Sequence, residues 1–331
     1  MYNLVYIFIF YFDLGEIDVK NEFKGAILIV VAAFFWGIAA TAAKFILNTN
    51  VDPFKLVNMR LNIAFILLFI ILLIFDRQKL KITVQDAKYL AVLGVVGLVG
   101  VQTTYYFTVA TLSVSMAIFL QYLAPAMIVI YSIVFLKERL SSTIFISLGI
   151  SLLGSICIIL GRDTASSSAL NMVGLITGLA SAFFLCFYTI FGKTCAVRVN
   201  AWTVLLYAVG FGALAYGFVS PPWILWKGVT TMELAYVSYL SIFATIIPFG
   251  LYFSGLRYLT SSSASILAML EPVVASISAY FLLNEKMTFV QILGGLLIII
   301  AVIIINIYYV RKETSNNEQK AANNKEEIAN V

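Results

Sequence analysis

Long apolar runs fill the chain, separated by short polar or charged joints such as DRQKLK and GRDTASSS. Ten runs can be bounded, at roughly 24–46, 54–75, 88–108, 113–136, 142–160, 171–192, 201–219, 234–256, 262–284 and 288–310; each meets the ~20 residues a helix needs to cross a 30 Å hydrocarbon layer. A transmembrane barrel would instead show alternating segments of about ten residues. Within lipid every backbone N–H and C=O must be satisfied internally, so continuous runs of this length leave the helix as the one spanning solution. The pattern predicts an all-α integral membrane protein of ten transmembrane helices.

The two ends differ from this pattern. MYNLVYIFIFYF is a short apolar run ahead of the acidic stretch DLGEID, with no basic leader and no small-residue cleavage site, so it is neither a good signal peptide nor a span. Residues 1–22 are read as an N-terminal extension: an interfacial helix, or residues preceding a true start near Lys20. The tail, 311–331, is polar and low in complexity, and is expected to be disordered because it has little apolar area to offset its ordering entropy.

Composition narrows the function classes. Hydrophobic residues make up 62% of the 331 positions and charged residues 11%, against about 25% charged in soluble domains. The net charge of +5 would suggest nucleic acid in a soluble protein, but here the basic residues flank apolar runs and report orientation in the bilayer. No nucleic-acid partner is implied. With the N-terminus in the cytoplasm, Lys20, Lys24, Arg77, Lys79, Lys81, Lys88, Lys137, Arg139, Lys193, Arg198, Arg257, Arg311, Lys312, Lys320 and Lys325 fall inside, and Lys44, Lys55, Arg162, Lys227 and Lys286 outside. That asymmetry, with an even number of spans, predicts a cell (inner) membrane protein with both termini cytoplasmic. Cys157, Cys186 and Cys195 lack any metal-ligand spacing and read as packing residues. Histidine is absent, which removes Ser/His and Cys/His relays and most zinc or haem sites. The reading is therefore no enzyme, no cofactor and no metal.

The second half repeats the first at an offset near 148 residues. LSVSMAIFLQYLAPAMIVIYSIVFLKERL lies over LTSSSASILAMLEPVVASISAYFLLNEKM, matching Leu112 with Leu259, Ser115 with Ser262, Ala117 with Ala264, Leu123 with Leu270, Pro125 with Pro272 and Glu138 with Glu285; Tyr105 meets Tyr252. Gly25, Ala33, Phe34, Phe35 and Lys44 meet Gly174, Ala182, Phe183, Phe184 and Lys193. Repeats of five spans, 23–160 and 161–310, must lie upside down relative to one another. Inverted repeats suit a carrier that opens a central site to each side in turn; a symmetric channel or scaffold is the other reading of such a duplication.

Several side chains are candidates for the site. Glu271 lies about 14 Å into its span, near the midplane, and its repeat partner is Ala124. An intramembrane acid is a functional hypothesis by default: a proton carrier, a counter-ion for a substrate ammonium, or a protonated group bonded between helices. Arg60 is placed to bind an anionic group, to pair with Glu271 or to snorkel to the interface. Pro125, Pro248 and Pro272 each free a carbonyl inside a span and are candidate hinges. Trp36, Gln102, Tyr105, Gln121, Tyr122, Tyr188 and Tyr252, with Thr103 and Tyr106, bring polar or amphipathic groups to helix middles, where a small-molecule pocket would use them. Glu138 and Glu285, beside Arg139 and Lys286, read as interfacial pairs. A nucleotide-sugar substrate would call for several cations in the cavity, and Arg60 is the one clear candidate.

GAILIVVAAFFWGIAATAAK, with Trp36, Gly37 and Lys44, resembles the opening helix of EamA-type members of the drug/metabolite transporter superfamily. The proline-containing helices ending in LKERLS and LLNEKMT, each followed by a span carrying glycines (Gly149 and Gly154; Gly294 and Gly295), are similar to the ends of that family's two repeats. The resemblance covers about residues 24 to 310. It implies a ten-helix carrier with cytoplasmic termini, often an exporter of amino acids or other metabolites. The resulting expectation is export of a small amphipathic metabolite by alternating access, coupled to protons through Glu271, with a membrane enzyme or passive channel as the competing classes. Oligomeric state is not legible.

Overall fold

The structure is a computed structural model that describes residues 21–47, 53–112, 114–137, 140–161, 172–219, 221, 225–283 and 287–329. The expectations for residues 1–20 and for the pairs Glu138–Arg139 and Glu285–Lys286 lie outside the described residues, as does the side chain of Lys44. Ten helices are long and apolar enough to cross a membrane: α1 (Glu22–Ala40), α2 (Phe54–Phe75), α3 (Val84–Thr111), α4 (Met116–Val134), α5 (Ser142–Leu160), α6 (Met172–Arg198), α7 (Ala201–Val219), α8 (Thr231–Leu256), α9 (Ser261–Leu282) and α10 (Phe289–Tyr308). Phe34, Ile74, Leu160, Phe183, Phe218 and Phe281 stand exposed on the outside, an apolar surface that acyl chains would cover.

The helices start where polar side chains take up their first N–H groups. The Thr83 hydroxyl accepts from the Asp86 N–H at 3.1 Å ahead of α3. Ahead of α8, Thr230 and Glu233 complete a capping box, and Thr288 and Gln291 exchange the same two bonds at α10, at 3.3 and 2.9 Å. The helical backbone of α10 runs on to Ala329, where the sequence predicts disorder. Its Ala, Glu, Lys and Gln residues are good helix formers, which a composition argument about burial overlooks.

Packing follows one rule of exchange. α1 packs on α8 as α6 packs on α3; α1 on α9 as α6 on α4; α2 on α8 as α7 on α3; and α2·α7, α4·α9 and α5·α10 are pairs that the exchange maps onto themselves. Exchanging each helix for the one five places along relates these contacts, while α6·α8 and α1·α10 stand outside the exchange. Small residues permit the closest crossings, because lipid supplies no hydrophobic drive between helices and contact must come from backbone approach. At α5·α10 a Cβ on Gly154 would stand 2.6 Å from the Gly294 carbonyl, and one on Gly294 would stand 2.5 Å from the Gly154 carbonyl.

Four spans of the core are irregular, and the irregularities recur with the repeat. Leu93–Leu98 in α3 and Ser241–Ile246 in α8 are π-helical, 148 residues apart. Val99 N–H reaches back five residues to the Gly94 carbonyl, and Ile247 N–H to that of Ile242. α4 breaks at Tyr122 and Leu123, between Val114–Gln121 and Ala124–Val134; α9 breaks at Met269 and Leu270, between Ser261–Ala268 and Glu271–Leu283. Such departures inside a membrane are tolerated where neighbouring protein or a lined cavity meets the freed backbone groups.

Candidate functional site

Glu271 is the first residue of the second half of α9. Across the break the N–H groups of Met269, Leu270 and Val273 donate to carbonyls three residues back, those of Ile266, Leu267 and Leu270, and a carboxylate at that N-terminus meets the positive end of the half-helix dipole. Glu271 is half-buried, and among the described residues its carboxylate makes no hydrogen bond or ion pair. Its backbone carbonyl lies against Gly37 of α1, 2.8 Å from where a Cβ would stand. The backbone at Glu271 is thus held against α1.

One turn of α1 around Gly37 carries the aromatic part of the site. Trp36 meets Phe249 edge-on, with ring centroids 5.0 Å apart, and Tyr252 at 5.4 Å. Tyr188 of α6 meets Phe249 at 5.9 Å and Phe253 at 5.6 Å. The Tyr252 hydroxyl shares a 3.1 Å hydrogen bond with Thr189, while the buried Tyr188 hydroxyl has no hydrogen-bond partner among the described residues. Ring pairs of this kind contribute about 0.5–1.5 kcal/mol each beyond area burial, and here they tie α1, α6 and α8 together. Of the predicted site residues the structure therefore joins Trp36, Tyr188 and Tyr252 in one cluster. Phe249, Phe253 and Thr189 were not anticipated; the i, i+3 spacing of Phe249 and Tyr252 was the available signal.

The other candidates sit around it. Gln121, at the end of the first half of α4, donates to the Ser181 hydroxyl of α6 at 2.9 Å. Tyr122 falls in the α4 break itself, and Tyr105 packs on Tyr106 at 5.3 Å. Gln102 is half-buried on α3 and makes no side-chain hydrogen bond among the described residues. Pro125 and Pro272 follow the two breaks, so their missing N–H groups fall in the first turn of each new helix, where no bond is lost. Pro248 follows the π-helical turn of α8 and is buried. Arg60 and Glu271 form no ion pair; of the roles open to Arg60, pairing with Glu271 is set aside. Cys186 and Cys195 are buried and Cys157 is half-buried, all as free thiols.

A second polar group closes one end of the bundle. Arg198, at the end of α6, pairs with Asp86 at the start of α3 at 3.3 Å and lies over the Tyr89 ring at 4.5 Å. Tyr89 stacks on Phe191, with centroids 5.8 Å apart. Beside them Thr203 donates to the Lys79 carbonyl at 2.8 Å and Tyr207 to that of Leu80 at 2.6 Å. All of these bonds join residues before 160 to residues after 171. At the repeat counterpart, Glu233 turns its Oε2 to Thr230, accepting from the backbone N–H at 2.8 Å.

Ten apolar helices among the described residues, two of them broken at equivalent places, describe a polytopic membrane protein, and the family comparison gives its class as transporter. The family model described as EamA-like transporter family matches the chain twice, over residues 23–160 and 172–307; the chain belongs to that family. It is 27% identical over 281 residues to an inner membrane transporter of Salmonella typhimurium, YicL, itself named uncharacterized, covering 82% of this chain and 92% of that one. An uncharacterized transporter of Archaeoglobus fulgidus is 26% identical over 271 residues, covering 82% and 94%. A solved crystal structure superposes with a TM-score of 0.73 at 20% identity, over 87% of this chain and 98% of that one; this likeness concerns the fold.

Proposed function

We propose that the protein exports a small amphipathic metabolite, such as an amino acid or a related compound, by alternating access between two inverted five-helix repeats, 23–160 and 161–310. The observation that carries this reading is the exchange symmetry of the packing, with its paired π-helical turns and paired helix breaks. Two copies of one unit, one inverted, exchange conformations to open first one side and then the other. Five is an odd number, so a chain that enters its second copy after five spans enters it inverted, and ten spans return both termini to the cytoplasmic side.

In this reading the substrate's apolar body lies against Trp36 and Tyr252, the half-helices of α4 and α9 bend at their breaks and prolines, and the Asp86–Arg198 pair is the latch of the cytoplasmic side. Glu271 exchanges a proton for the substrate or balances a substrate ammonium. The test is counterflow in proteoliposomes. Trans-stimulated uptake of an amino acid or related amine supports a carrier; flux without trans-stimulation indicates a channel, and none at all removes the transport reading for that substrate class. Glu271→Gln that transports like wild type, with unchanged pH response, ends the coupling role.

A further inference from the structure

Equivalent joints close the two ends of the bundle. At the end that carries Asp86 and Arg198, Thr203 in the first turn of α7 donates to the Lys79 carbonyl of the α2–α3 joint at 2.8 Å. At the opposite end, Lys55 in the first turn of α2 donates from Nζ to the Lys227 carbonyl of the α7–α8 joint at 3.2 Å. Donor and acceptor both move by 148 residues, so one contact is made twice. The described part of the second joint, Leu225–Val229, is a formed turn. Val229 N–H returns to the Trp226 carbonyl at 3.5 Å, and Gly228 takes φ +73°, a backbone that glycine adopts without steric cost. Leu225 is 1% exposed and packs among Ala39 of α1, Leu56 and Met59 of α2, and Val237 and Leu240 of α8.

What surrounds the two joints differs. Val204, Leu90 and Leu93, the counterparts of Leu56, Val237 and Leu240, belong to the main core of the bundle, and Leu80 and Ile82 of the first joint pack against it. Among the described residues, Leu225 and its neighbours form a cluster of their own, separate from that core. The donors differ as well. Thr203 is buried, and Tyr207 adds its bond to the Leu80 carbonyl. Lys55 reaches its carbonyl at an exposed site on a flexible stem, and Met59, in the place of Tyr207, carries no donor. Local opening costs least where few apolar contacts must be separated. The second joint can lift while the main core stays packed. We propose that Leu225–Val229 is the gate at this end, with Leu225 as its plug and Lys55 as the tether that holds it shut. This rests on the transport reading and adds a second gate opposite the Asp86–Arg198 latch.

The test uses the full chain, purified in detergent, in a background free of Cys157, Cys186 and Cys195. Ala39→Cys places a thiol beneath the plug, and Ala201→Cys places one in the main core at the other end; both positions are 2% exposed. Modification by a small water-soluble methanethiosulfonate reads how often each position opens. Leu225→Ala is expected to raise the rate at position 39 about tenfold or more, the scale of a lost buried leucine, and to leave position 201 unchanged. Lys55→Met keeps the plug and removes the tether, and is expected to raise the rate at position 39 about threefold; Lys55→Arg, which keeps a cationic donor, stays near the parent rate. Should Leu225→Ala not fold, Lys55→Met decides. The proposal is overturned if either substitution leaves the rate at position 39 where it was, if position 201 rises with it, or if Lys55→Arg rises as far as Lys55→Met. Counterflow of leucine in liposomes separates the two claims. A rise confined to position 39 without counterflow keeps the gate and removes the carrier for that substrate class, whereas counterflow with position 39 unmoved keeps the carrier and removes the gate.

Discussion

α3 with α4 and α8 with α9 occupy equivalent places in the two halves, and they agree in backbone far better than in side chains. Both pairs carry a π-helical turn followed by a broken helix, at offsets of 147 or 148 residues. Yet where α9 resumes with Glu271, α4 resumes with the buried Ala124, and where α8 has Pro248 four residues after its carbonyl at 244, α3 has Gly100. At the helix starts, Asp86 reaches Arg198 while Glu233 stays with its own cap. The backbone irregularities are duplicated; the side chains that stand at them are not. Glu271, whose counterpart is Ala124, is therefore the first side chain to test for a role in coupling.

Breaking the frame gives the largest effect. Gly154→Leu or Gly294→Leu drives a side chain into the facing helix's carbonyl, and each is expected to destabilise by at least the 1–3 kcal/mol or so of overpacking, read as a lower melting midpoint and poor yield. Gly149, which has open space around its would-be Cβ, is the control at the foot of this scale: Gly149→Ala leaves the midpoint within about 0.5 kcal/mol.

Changing the chemistry while sparing the frame comes next. Glu271→Gln is expected to lower proton-driven transport tenfold or more with a melting midpoint close to wild type, since among the described residues no partner is left unpaired. Truncating Trp36 to Ala weakens apparent substrate affinity rather than turnover, because its ring contacts serve binding in either state. Counterflow with concentration series separates the two.

The latch gives a smaller effect. Asp86→Ala and Arg198→Ala should couple by about 0.2–1 kcal/mol in a double-mutant cycle on cytoplasmic thiol accessibility, the range for a solvent-accessible pair. That shifts the open population by about fivefold at most. Glu233→Gln, at the counterpart position, is expected to weaken the α8 cap without opening either side. An equal opening effect would mean that the latch, too, is duplicated.

Much of this could be read in the sequence, for physical reasons. Spans are legible because lipid punishes every unmade backbone bond, so length and apolarity suffice. The duplication was legible in Pro125 and Pro272, which also mark the two breaks. The π-helical turns were not, since LGVVGL and SIFATI share no signature; an extra residue in a helix is decided by what packs against it. The capping pattern of Thr83 with Asp86 and Thr230 with Glu233 lay in plain view as T-x-x-[DE], but the reach of Asp86 to Arg198 is a tertiary fact. The same holds for the Thr103–Tyr216 hydrogen bond between α3 and α7, which depends on helix rotation that ten all-apolar runs do not encode.

Inversion of the two repeats is the central claim, and labelling tests it most directly. Gln85 and Met232 are equivalent, 147 residues apart, and both are exposed in the first turn of α3 and α8. In a background free of Cys157, Cys186 and Cys195, Gln85→Cys and Met232→Cys are treated in intact cells with a membrane-impermeant maleimide. Met232→Cys should label at once and Gln85→Cys only after permeabilisation. Equal labelling of both from the same side would place the halves in parallel and contradict the account.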